Sequence, residues 1–217
     1  MFIGAALYSY LRSLTEWRTF FASFLILLFY AYSVTTYLSQ ASLTNGVAGG
    51  SFAPLASIVF GALFFLLIGI KEFVFLHRAA IFNFLSGALY FFIGTTFFVV
   101  DRDNATPFFA YFIITFIALH ALIRESVDFF MEDAPRSKKR LLVAGSAVLI
   151  MEFLSIITLL PIGFLSSAAL IILMVFVLED LVYYHLRGML NRQIIINNVA
   201  ILALSIILIF ATSKLSL

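Results

Sequence analysis

The chain contains no cysteine, which excludes disulfides and thiolate metal sites and leaves the compartment open. Charge is scarce too: 11% of its 217 residues are Asp, Glu, Lys or Arg, against roughly a quarter in soluble domains. There is no glycine-rich phosphate loop, no HExxH pair, no G-x-S-x-G elbow and no long polar segment. Phosphate cradling, zinc proteolysis and serine hydrolysis therefore lack their usual sequence footing. The net charge of +2 gives no basis for nucleic-acid binding.

What is present is apolar. Hydrophobic residues make up 64% of the chain, 27 of them Phe, and the mean hydropathy is +1.13. A water-soluble fold of this length could not hide so much apolar surface, so the expected solvent is the bilayer. A spanning helix needs about 20 apolar residues, and the runs divide accordingly. Spans are expected at 19–38, 54–76, 79–100 and from Pro107 to about Glu125. Residues 141–178 hold a single charge, Glu152, and are too long for one crossing; "LLPIG" at 159–163 supplies a turn between spans five and six. The seventh span is about 193–212.

Basic residues set the orientation. Arg12, Arg18, Lys71, Arg78, Arg124, Arg136, Lys138, Lys139, Arg140, Arg187 and Arg192 fall before span one or in the 2–3, 4–5 and 6–7 connections. Only Arg102 and Lys214 fall on the other side. The positive-inside rule then places the N-terminus in the cytoplasm and the C-terminus outside, as seven spans require. Ser13 and Glu16 have capping-box spacing ahead of the first run. Residues 1–17 are read as a cytoplasmic interfacial segment and 18–217 as a single seven-helix transmembrane domain. The expected setting is a prokaryotic cytoplasmic membrane.

A repeat underlies the pattern. The ends of the even spans read "KEFVFLHR" from Lys71, "RESVDFFM" from Arg124 and "EDLVYYHL" from Glu179. An acid takes the second place each time (Glu72, Glu125, Asp180), and His77 and His185 share a column where the middle copy has Phe130. Pro54, Pro107 and Pro161 stand seventeen or eighteen residues upstream. Odd spans open with Arg18, Arg78, Arg140 and Arg192, and Asn83 and Asn197 both follow such an Arg by five places. The fold expected is an all-α integral membrane protein, one helix followed by three related helical hairpins.

Charges and Tyr or His tips at such ends ordinarily snorkel to the interface, and Arg124 with Asp128, four apart, would brace the helix end. The sharper reading is a cytoplasmic ring of Glu72, Glu125 and Asp180, with His77 and His185 beside it. Four of these, Glu72, His77, Asp180 and His185, have donor types that could hold a divalent metal, with ligands drawn from different spans. Deeper in the spans lie Glu152 and His120. Glu152 is twelve residues past Arg140, about 18 Å along a helix. Acids at that depth either bond a neighbouring helix or serve an ion or ligand.

The chain does not resemble the seven-helix membrane hydrolases that hold a metal with three histidines and an acid, because its three histidines are spread over the repeat ends. Nor does span seven carry the Schiff-base lysine of a retinal protein, since Lys214 lies past its end. The reading preferred is a non-catalytic subunit, scaffold or relay that binds another membrane protein, or a homo-oligomer, within the lipid bilayer. One alternative is a small proton- or cation-linked transporter or channel using Glu152. Another is a membrane-embedded enzyme on a lipid substrate, using the carboxylate and histidine ring. No catalytic residue or cofactor is assigned by the sequence.

Overall fold

A computed structural model of the chain describes residues 20–45, 49–71, 76–100, 108–131, 134–160 and 162–212. Among these residues it is all-helical, with seven helices. They are α1 (Phe21–Asn45), α2 (Gly49–Lys71), α3 (Arg78–Val100), α4 (Phe108–Phe130), α5 (Arg136–Thr158), α6 (Phe164–Leu186) and α7 (Arg192–Thr212). The segments read from hydropathy recur as helices with shifted ends. The turn expected at 159–163 separates α5 from α6. Where helices outrun the apolar stretches, as α4 does through Arg124, Glu125 and Asp128, the reason is that backbone pairing continues into polar sequence. Among the described residues four helices are long and apolar enough to cross a membrane: Arg78–Phe98, Arg136–Thr158, Phe164–Leu186 and Arg192–Ala211. Shorter apolar stretches lie at Phe21–Val34 and Ala56–Lys71. Four such helices point to a membrane protein. The expected interfacial segment at 1–17 lies outside the described residues.

The chain forms two compact units, Met1–Leu89 and Tyr90–Leu217, with the division inside α3. In the first, α1 and α2 pack along each other. The buried residues Phe24, Leu27 and Ala31 of α1 and Phe60, Phe64 and Leu67 of α2 recur at helical spacing. Phe24 meets Phe64 edge-on at 5.8 Å between ring centres, and Phe20 lies 5.4 Å from Phe82. The Arg78 side chain donates from Nε to the Ile70 carbonyl at 3.1 Å, satisfying one of the carbonyls left open at the end of α2.

In the second unit α5 packs between α4 and α6, and α6 also contacts α4 and α7. Val143, Ala147, Ile150, Leu154 and Ile157 form the buried stripe of α5, and Ala168, Ile171 and Val175 belong to that of α6. The second half of α3 runs antiparallel to α6. A methyl built on Gly94 would lie 3.5 Å from the Ala168 Cα, so two small residues let these backbones approach closely.

The α6–α7 turn is specified by two residues. Gly188 takes a φ of +67°, a left-handed conformation that favours glycine. Its N–H donates to the His185 carbonyl at 3.1 Å and the Met189 N–H donates to the Tyr184 carbonyl at 2.9 Å. This is the Schellman pattern that closes a helix C-terminus. Three residues on, the Asn191 side chain accepts from the Ile194 N–H at 2.8 Å, capping the start of α7. Gly188→Ala should lower unfolding free energy by about 1–2 kcal/mol and Asn191→Ala by about 1 kcal/mol. Denaturant titration in detergent micelles, followed by far-UV circular dichroism, measures both. Unchanged midpoints in both variants would contradict this account of the turn.

Candidate functional site

Polar side chains inside a bundle this apolar concentrate where α3, α4 and α6 meet. Tyr90 is fully buried, and its hydroxyl donates to the Glu179 Oε1 at 2.7 Å. Ser126 of α4 lies beside the same carboxyl, and Glu125 lies within electrostatic reach of Tyr90. Helix geometry explains the meeting. Every Cα–Cβ bond tilts toward the N-terminus of its own helix. In the antiparallel pair α3 and α6, Tyr90 and Glu179 therefore lean toward each other along the axis. The long phenol covers the remaining distance.

Asp180 is the next residue on α6, about 100° further round the helix, and it turns to the other neighbour. It accepts from the Asn198 Nδ2 of α7 at 2.8 Å, while the same amide also donates to the Ile194 carbonyl. Asn198 is 8% exposed, so this pair ties α7 to α6 on an otherwise apolar face. The acid doublet thus binds both sides of α6. Hydroxyls elsewhere are satisfied locally. Thr95 donates to the Phe91 carbonyl, Ser155 to that of Met151 and Ser167 to that of Gly163. Among the described residues, every buried side-chain nitrogen and oxygen has a partner.

At the α4–α5 turn Asp128 accepts from Lys139 at 3.3 Å and faces Arg124 at 3.7 Å. The latter is the brace expected from the spacing. Both of its side chains are more than half exposed, so its contribution is small.

The residues singled out in the sequence fall differently. Glu152 is exposed on the outward face of α5, and it hydrogen-bonds or pairs with no described residue. Asn83 and Asn197 are exposed, and the buried asparagine is the neighbouring Asn198. His120 is half-buried with its ring 6.2 Å from Phe116, one turn away. Glu125 and Asp180 are half-buried, whereas His77 and His185 are exposed. Glu72 lies outside the described residues. No three His, Asp or Glu residues converge as a metal set among the described residues.

Compared with protein-family models, with curated proteins and with solved structures, the chain matches none of them.

Glu179, Tyr90 and Ser126 escaped the sequence reading. Tyr90 carried a signal, since it stands twelve residues past Arg78, the same interval that separates Glu152 from Arg140. The lone Glu-Asp doublet near the end of α6 carried another. Pairing the two needed the rotation of α3 against α6, which no spacing supplies. If the bond is as described, Tyr90→Phe and Glu179→Gln will not be additive. A double-mutant cycle on unfolding should give a coupling of about 0.6–1.7 kcal/mol, and strict additivity would show that the two groups do not interact.

Proposed function

We propose that this protein is a non-catalytic membrane subunit that binds another membrane protein through its helices. The observation that carries the reading is the disposition of its polar side chains. The buried ones are satisfied within the second unit, by Tyr90 with Glu179, Asp180 with Asn198 and hydroxyls with their own helices. A path for a polar solute needs a line of polar groups with free bonding capacity. Groups consumed in pairs hold helices together instead. The largest outward surface is α7, whose apolar window is only 6% buried, leaving Ile196, Val199, Leu204, Ile207 and Leu208 facing outward.

In this reading the seven helices all cross the bilayer, with the N-terminus on the cytoplasmic side. The distribution of Lys and Arg supports that orientation, and the setting is a cytoplasmic membrane. A small cleft of about 40 Å³ between Phe98 and the α5–α6 turn has room for little more than one water. It offers no volume for a lipid substrate.

A second reading rests on Glu179, the acid that faces inward. Cation- or proton-linked transport would use this carboxyl, with Tyr90 as its hydrogen-bond partner, in place of Glu152. The two readings separate in one preparation. Protein extracted from its native membrane in mild detergent should show a second polypeptide at fixed stoichiometry by native mass spectrometry, and Glu179→Gln should retain it. Purified protein in sealed vesicles should carry no proton or monovalent-cation flux. A lone polypeptide with flux that Glu179→Gln abolishes would overturn the subunit reading.

A further inference from the structure

The outward face of α5 combines two features that bear on what sits against it. Leu141, Gly145, Val148, Glu152 and Leu159 are all exposed and recur at intervals of three, four and seven, the period of a helix–helix seam. Gly145 has open space around it, with nothing within 4 Å of a methyl built there. Seven residues further, on the same seam, stands Glu152. Counted from Leu141 it lies about 16 Å along the helix, close to the middle of a hydrocarbon core about 30 Å thick.

A carboxyl facing acyl chains is expensive, and acids in spanning segments ordinarily pair with a base or line a wet cavity. Glu152 does neither within the described chain: it is exposed and makes no bond there. Three other acids of the second unit's helices show what satisfied carboxyls look like, Glu179 with Tyr90, Asp180 with Asn198 and Asp128 with Lys139. A second copy brings no Lys or Arg to that depth, and its His120, midway along α4, is half-buried beside Phe116. The Lys and Arg residues of the described helices all stand in a first or last pair of turns, Lys71 at the end of α2 and Arg124 near the end of α4.

Resting on the subunit reading above, we infer that the α5 seam docks a single transmembrane helix of a different protein. That helix carries a Lys or Arg at mid-membrane depth, which pairs with Glu152. The absent side chain at Gly145 lets the partner backbone approach closely two turns away, as small residues do in membrane helix pairs. Charge complementarity specifies the occupant, and the flanking Val148 and Leu159 supply apolar contact.

The probe is a designed 23-residue Leu/Ala transmembrane peptide with one central Lys, compared with the same peptide bearing central Leu. Full-length protein and fluorescent peptide are reconstituted into phosphatidylcholine vesicles, and association is read by energy transfer. The Lys peptide should associate about three- to twentyfold more tightly than the Leu peptide. Glu152→Gln should remove that preference, and Gly145→Leu should weaken association with both peptides. Equal association of the two peptides, or a Lys preference that survives Glu152→Gln, overturns the assignment. So does energy transfer between labelled copies of the chain that Glu152→Gln abolishes, which would make the occupant a second copy.

Native complexes separate this inference from its parent. A polypeptide that co-purifies equally with wild type and Glu152→Gln leaves the subunit reading standing and sinks the α5 assignment. A wild-type protein that carries no second polypeptide sinks the subunit reading itself.

Discussion

An interior without water cannot leave a polar group unmatched, and that constraint organises this bundle. Each buried donor or acceptor must find its partner in the protein. The Tyr90–Glu179 bond is the clearest result. It joins α3 to α6 at 2.7 Å, and Ser126 of α4 lies beside the same carboxyl. Apolar packing between helices of Phe, Leu and Ile permits many rotations of similar energy. A carboxyl bonded to a fully buried tyrosine permits far fewer. The Asp180–Asn198 pair does the same for α7, whose remaining surface is apolar and gives little rotational preference.

The same rule gives the outward residues their meaning. Lipid cannot hydrogen-bond a carboxyl at mid-depth, so Glu152 stands on α5 as a requirement that the described chain leaves unmet. Inside, acids are matched by Tyr, Asn and Lys. Outside, Glu152 sits on a stripe with Gly145 and exposed aliphatic side chains. Among the described residues, this contrast between matched interior acids and the exposed Glu152 ties the proposed function to a particular helix face.

Much of the architecture was legible beforehand. Long apolar runs located the helices, because spanning length is fixed by bilayer thickness. "LLPIG" marked the turn before α6, and the Arg124–Asp128 spacing correctly placed a brace on one helical face. The turn at Gly188 and Asn191 was not among the sequence readings, although its local chemistry carries the signal. What could not be read was the rotation of each helix about its axis. In an almost uniformly apolar helix such as α7, the usual polar and apolar faces are missing, so nothing in the pattern separates Asn197 from Asn198. Rotation also separated Glu152 from the interior and brought in Glu179, which had been treated only as the first residue of a repeated end. Glu72 lies outside the described residues, and with it the ring expected from the repeated ends.

The most direct test of the contrast between inside and outside is the environment of position 152. Because the chain has no cysteine, Glu152→Cys provides a unique attachment point for a nitroxide spin label without any background to remove. In nanodiscs holding the purified chain alone, collision rates with oxygen and with a water-soluble nickel chelate report lipid and water respectively. The account predicts high oxygen and low nickel accessibility at position 152, with low values of both for a label at Val175, inside the α6 core. High nickel accessibility at position 152 would place this acid on an aqueous path, and low accessibility to both reagents would place it in the interior. Either result would contradict the account.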